Sequence, residues 1–169
     1  GSMAHDSLLI QALTDEDKVG IEKTEKLMAE YLSGMKDAFN YEAAFLVSDS
    51  SMCYYSYGGI NKQIDLEKNY RDQWYTRFVS SGKDYDLVVD RDELSQNQWT
   101  IFVNTRIVDS TGRLLGVCGV GAHMKDNQEL FRNLEREYGV KIYMIDSDGQ
   151  IQIDTDENHM EGKYLKDIP

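Results

Sequence analysis

The run WTIFVNTRIVD, residues 99–109, leads through a short turn into LLGVCGVGAHM, residues 114–124. No other feature constrains the chain as strongly. Two long apolar runs joined by Asp-Ser-Thr-Gly-Arg predict an antiparallel hairpin and so an antiparallel sheet. With the turn centred on residues 110–111, Asn104 faces Val117 and Phe102 faces Gly119. Alternation then places Phe102, Asn104 and Arg106 on one face with Gly119 and Gly121. The glycines are expected to leave space there. Asn104 beside that space is either a ligand contact or an asparagine bonded to backbone at a strand edge, and a one-residue slip moves it to the other face.

The rest of the chain supplies a helical layer and further strands. Leu27, Met28, Tyr31, Leu32, Met35 and Phe39 recur at helical spacing, preceded by Leu8, Leu9 and Leu13. The acidic TDED at 14–17 and Gly20 break this region into two helices, and Thr14 with Asp17 reads as a capping box starting the second. AAFLV, the turn SDSS and MCYYSY form strand, turn and strand; residues 60–69 read as polar loop and 70–81 as a helix. YDLVVD (85–90) is a strand and RDELSQNQ (91–98) a polar connection. Residues 126–138 are helical, with Leu130, Phe131, Leu134 and Tyr138 on one side. KIYMIDSDGQIQIDTD is a second hairpin turning at Asp148-Gly149. The segments AFLVSDS (44–50) and IYMIDSD (142–148) each follow a helix and open a hairpin, as one unit starting twice.

These elements predict an α+β fold: a long N-terminal helix packed on a central antiparallel sheet, then a helix and an extra β-hairpin. The expected divisions are 1–3 as an expression scar, 4–40 as N-terminal helix or helices and 41–125 as a complete sheet unit. Residues 126–169 are then a connecting helix and the start of a second, incomplete unit.

A net charge of −12 argues against nucleic acid, whose phosphates need a basic partner surface, and against an anionic membrane surface. No run of 18 apolar residues is present. Cys53 and Cys118 are too few for a disulfide framework or a zinc site and read as buried thiols in strands. His5, His123 and His159 show no metal-ligand spacing, and neither a phosphate loop nor a nucleophile elbow occurs. At DSDG (146–149) the glycine falls at the fourth position of a would-be calcium loop, so a hairpin turn is expected. Neither an enzyme nor a cofactor is expected.

The order of elements, with Trp74-Tyr75, the closing G-V-C-G-V-G (116–121) and Y-M-I-D-S-D-G (143–149), resembles the Cache (PDC-type) extracytoplasmic sensor domains, particularly the double-Cache form, over about residues 20–165. The resemblance implies a PAS-like sheet with the long helix on one face and a small-molecule pocket on the other. It implies a ligand-sensing part of a membrane receptor (histidine kinase, diguanylate cyclase or chemoreceptor), outside the cytoplasmic membrane, dimeric in the full-length protein and joined to the membrane only by flanking helices. Many amino-acid-binding members carry an arginine two residues before the tryptophan and an aspartate ending the glycine-rich strand. This chain has Asp72 and Gly121 there. The alternative is an intracellular PAS-like dimerisation or interaction domain.

On a helix, Tyr70, Trp74 and Phe78 share one face, and Tyr75 lies on the adjacent one. An aromatic wall with Asp72 beside it suits an amine or other non-standard ligand; the competing reading has Trp74 and Phe78 simply packing the helix on the sheet. Tyr55 and Tyr57 share a strand face that excludes Tyr54, and Tyr85 closes the site from the side. The candidate ligand contacts are Tyr55, Tyr57, Tyr70, Asp72, Trp74, Tyr75, Tyr85 and Asn104.

Overall fold

The computed structural model describes residues 3–92, 98–146, 148–159 and 162–168. The chain forms two compact units, one of residues 1–87 with 102–121 and one of 88–101 with 122–169.

In the first unit the helical stripe breaks at both expected places, giving three helices where two were expected. It forms α1 (Ser7–Thr14), α2 (Glu16–Val19) and α3 (Ile21–Phe39), with Gly20 at φ +89° between the last two. The expected capping box is absent. Asp15 stands at the N-cap of α2 without a side-chain capping bond, and the Thr14 hydroxyl donates backwards to the Ile10 carbonyl at 2.7 Å. Thr14 therefore ends one helix instead of starting the next. The cap that forms is Asp6, whose carboxylate accepts from Leu8 N–H at 2.9 Å.

The strands are β1 (Ala43–Ser48), β2 (Cys53–Ser56), β3 (Gly59–Gln63), β4 (Tyr85–Asp92), β5 (Gln98–Val108) and β6 (Leu114–His123), in the sheet order β3-β2-β1-β6-β5-β4. Strand β3 lies where polar loop was expected. Gly59, at φ +102°, lets the chain reverse after β2, and the polar alternation of Ile60, Asn61, Lys62 and Gln63 suits an edge strand with one wet side. Between β4 and β5, residues 93–97 of the expected polar connection lie outside the described residues. The β5–β6 turn also differs by one residue. Asp109 N–H donates to Arg113 O at 3.0 Å and Gly112, at φ +85°, completes a three-residue loop.

Every residue of β1 is buried, because the strand is covered on both sides. Ala44 and Leu46 face Leu9, Leu13, Met28 and Leu32 of the helical layer, together with Cys53, Tyr55 and Cys118. Phe45 and Val47 face the other way, against Ile64, Val117 and the helix α4 (Gln73–Ser81), which follows a 3-10 turn at Tyr70–Asp72. Both cysteines are buried and free, and burial pushes the Cys118 thiol up to about 12.

The second unit holds α5 (Met124–Tyr138) and the short hairpin β7 (Met144–Ile145) and β8 (Ile151–Ile153). Its core is Met124 and Ile153 with Val89, Trp99, Ile101, Phe131 and Met144. The ends of β4 and β5 thus belong with this unit, a division that the expected boundary at 125 does not anticipate. Leu130 and Tyr138 remain exposed, Leu134 is half-buried, and Met124 and Phe131 carry the apolar side of α5.

Candidate functional site

The face of the first unit that carries α4 gathers Phe45, Tyr54, Trp74, Tyr75, Phe78 and Phe102. Phe45 lies at its centre, stacked on Tyr54 at 5.1 Å and edge-on to Trp74 at 5.7 Å and Phe102 at 6.1 Å. Phe45 pairs across the sheet with Gly119. The glycine is required there, but it does not leave a gap: a Cβ on it would stand 2.5 Å from the Phe45 ring and 2.8 Å from Asn104 Oδ1. The expected space is filled by those two side chains. Asn104 and Phe102 do share the face of Gly119, as alternation requires.

Asn104 is 5% exposed, and its buried Oδ1 has no hydrogen-bond partner. Leaving such an acceptor dry is costly, which makes it a functional pointer. Two residues along, the guanidinium of Arg106 donates to the Val79 carbonyl near the end of α4, while its buried Nε has no partner.

The α4 side chains divide by role. Trp74 is half-buried and edge-on to Tyr75 at 5.7 Å. Tyr75 is buried and its hydroxyl donates to Asp49 Oδ1 at 2.8 Å; burial first, and then this bond, hold its phenol well above the ordinary value. Asp72 is 1% exposed and already engaged, accepting from Lys62 Nζ at 2.6 Å and from Asp65 N–H at 3.0 Å. The carboxylate expected to meet an amine ligand instead anchors the start of α4 to β3. Lys62 Nζ also lies 5.9 Å from the centre of the Tyr54 ring.

The other candidates lie apart from this group. Tyr55 is fully buried on the opposite face, beneath the helices, where its hydroxyl donates to Glu16 Oε1. Tyr57 is half-exposed with Lys36 Nζ of α3 5.1 Å above its ring. The alternation expected for the tyrosines is correct, but the aromatic face takes Tyr54 and not Tyr55 or Tyr57. Tyr70 and Tyr85 are 74% and 69% exposed, and neither joins the cluster. Phe45, Tyr54, Asp49 and Lys62 were missed, although the β1–β6 pairing of an aromatic with a glycine would have marked Phe45.

No family model matches the chain. Solved structures do. It superposes on the sensor domain of the Vibrio cholerae histidine kinase DctB with a TM-score of 0.62 at 12% identity, covering 94% of this chain and 57% of that one. The sensory domain of the Campylobacter jejuni chemoreceptor Tlp3 (CcmL) with isoleucine bound gives 0.55 at 17%, covering 95% and 60%. The ligand-binding domain of the Pseudomonas aeruginosa chemoreceptor PctC in complex with GABA gives 0.56 at 13%, covering 94% and 74%. The chain has the Cache-type sensor fold. It spans about 60% of the length of the first two of these solved structures. Among the described residues no helix is long and apolar enough to cross a membrane.

Proposed function

We propose that the chain is the ligand-sensing domain of a membrane signal-transduction receptor. In this reading it lies outside the cytoplasmic membrane, binds a small molecule on the aromatic α4 face and signals through the N-terminal helices as part of a homodimer. The observation that carries the reading is the buried, unpartnered Oδ1 of Asn104 beside Phe45 on that face. An acceptor in that state is satisfied by a ligand that brings an N–H or O–H donor. Phe102, Trp74 and Tyr54 give such a ligand apolar and cation–π surface. The similar fold of chemoreceptor domains solved with isoleucine and GABA supports a small amino compound as the class. Because Asp72 is spent on Lys62 and Gly121 has no side chain, the ligand grip differs from the carboxylate-and-ammonium handles of the sensors it resembles.

A thermal-shift screen of the protein over amines, amino acids, organic acids and purines tests this. A ligand at 100 times its Kd adds roughly 2.7 kcal/mol to stability, a clear rise in Tm. The expected result is a rise confined to compounds carrying an amine or hydroxyl donor. No rise with any class, repeated on the chain with its native flanking sequence, contradicts the reading.

A further inference from the structure

One turn touches both faces of the first unit. Residues 48–52, Ser-Asp-Ser-Ser-Met, connect β1 to β2. Ser48 ends β1 with its side chain toward the helical layer, and Asp49 turns the opposite way, following extended-chain alternation. On the helical side, Glu16 at the start of α2 is 3% exposed and accepts three hydroxyl donors: Ser48 Oγ, Ser51 Oγ at 2.9 Å and Tyr55 OH. No ion pair to Glu16 exists among the described residues. On the α4 side, Asp49 Oδ1 accepts from Tyr75 OH at 2.8 Å.

The turn itself is held by hydrogen bonds to its neighbours. Asp49 N–H donates to Leu115 O at 2.9 Å, Met52 N–H to Ser48 O at 3.0 Å and Ile64 N–H to Met52 O at 2.8 Å, while Gln63 Nε2 donates to Ser51 O at 2.8 Å. Met52 is held at φ +57°, a left-handed conformation that a non-glycine residue adopts only when its surroundings dictate it. We propose that this turn is a coupling joint between α4 and the N-terminal helices, so that displacing Tyr75 on one face is transmitted to Glu16 on the other. A buried carboxylate served only by hydroxyls depends on all of them, because each bond polarises the others. A shift of Asp49 moves Ser48 and Ser51 with it, and Glu16 loses its donors or follows them.

The joint requires no ligand, and neither does its test, so its failure would leave the binding reading standing. Urea unfolding is measured for Tyr75→Phe, Glu16→Gln and the double variant in a Trp99→Phe background, where Trp74 reports on the first unit. Tyr31→Phe is the control, since its hydroxyl bonds Asp6 at 2.9 Å on the same helices but outside the turn. The expected result is that the effects of Tyr75→Phe and Glu16→Gln on the unfolding equilibrium constant depart from multiplicativity by roughly threefold or more. Tyr75→Phe and Tyr31→Phe are expected to multiply independently. Independence of Tyr75 and Glu16, or equal coupling to Tyr31, overturns the proposal. If Glu16→Gln does not fold, Ser51→Ala replaces it and removes one of the three donors.

Discussion

Glu16 and Tyr55 show how much of this protein rests on single buried polar contacts. Tyr55 OH donates to a carboxylate without a cation beside it, and burial together with that bond holds its phenol well above the usual range. Removing the hydroxyl leaves the buried Glu16 carboxyl short of a donor. Tyr55→Phe is expected to cost roughly 1–3 kcal/mol in urea unfolding and to leave ligand-induced stabilisation unchanged. Trp74→Ala is expected to do the reverse: the half-buried indole sits at the edge of the cluster, so ligand stabilisation falls while Tm drops less than for a core tryptophan, where truncation costs roughly 3–5 kcal/mol. A Tm loss of that full size with ligand response intact would make Trp74 core. The Tyr54–Tyr55 alternation was legible in sequence. Which tyrosine meets the helices was not, because a period of two leaves the choice of face open. Glu16 gave no local signal, since its partners lie 32 to 39 residues away in the chain.

Helix α4 is held at its first residues by the Asp72–Lys62 pair and along its length by Tyr75 on Asp49 and Arg106 on the Val79 carbonyl. Asp72→Ala strands Asp65 N–H and weakens the hold on β3, at an expected cost of roughly 1.5–3 kcal/mol for a charged hydrogen bond, seen as a lower urea midpoint. An unchanged midpoint would show the pair to be incidental. At this scale the long strands and the helical stripe declared themselves through periodicity, and the breaks at Thr14–Asp17 and Gly20 through punctuation. Strand β3 did not: an edge strand with polar alternate residues has the composition of a loop, and its partner β2 is needed to see it. Nor did the bonding of Asp72, whose burial depends on a lysine ten residues earlier.

Each unit of the molecule holds a buried carboxylate against a lysine, Asp72 on Lys62 in the first and Asp154 on Lys141 in the second. In the second, the fully buried Asp154 accepts from Lys141 at 2.7 Å, His159 Nδ1 at 2.6 Å and Asp156 N–H at 3.0 Å. Burial opposes its ionisation, yet the Asp156 N–H, Lys141 and His159 together hold its carboxyl below the ordinary value of 3.8. A lowered folded-state value means that the contribution is complete above pH 3.8 and is lost as pH falls below it. Acid unfolding followed by Trp99 fluorescence in a Trp74→Phe background is expected to lose this dependence in Asp154→Asn, and an identical acid profile would contradict it. The division of the chain escaped sequence reasoning because β4 and β5 are each split between the two units, a property of packing and not of pattern. The central claim is that the aromatic face binds a ligand through Asn104. In Asn104→Leu an unpaired buried acceptor is exchanged for an apolar group of similar size, which is neutral or stabilising for the empty protein. Calorimetric melting of the two proteins, with and without an amino compound that stabilises the unaltered chain, is the direct measurement. The account predicts an equal or higher Tm without ligand and no rise with it. A Tm lowered by several degrees with the ligand-induced rise intact would contradict it.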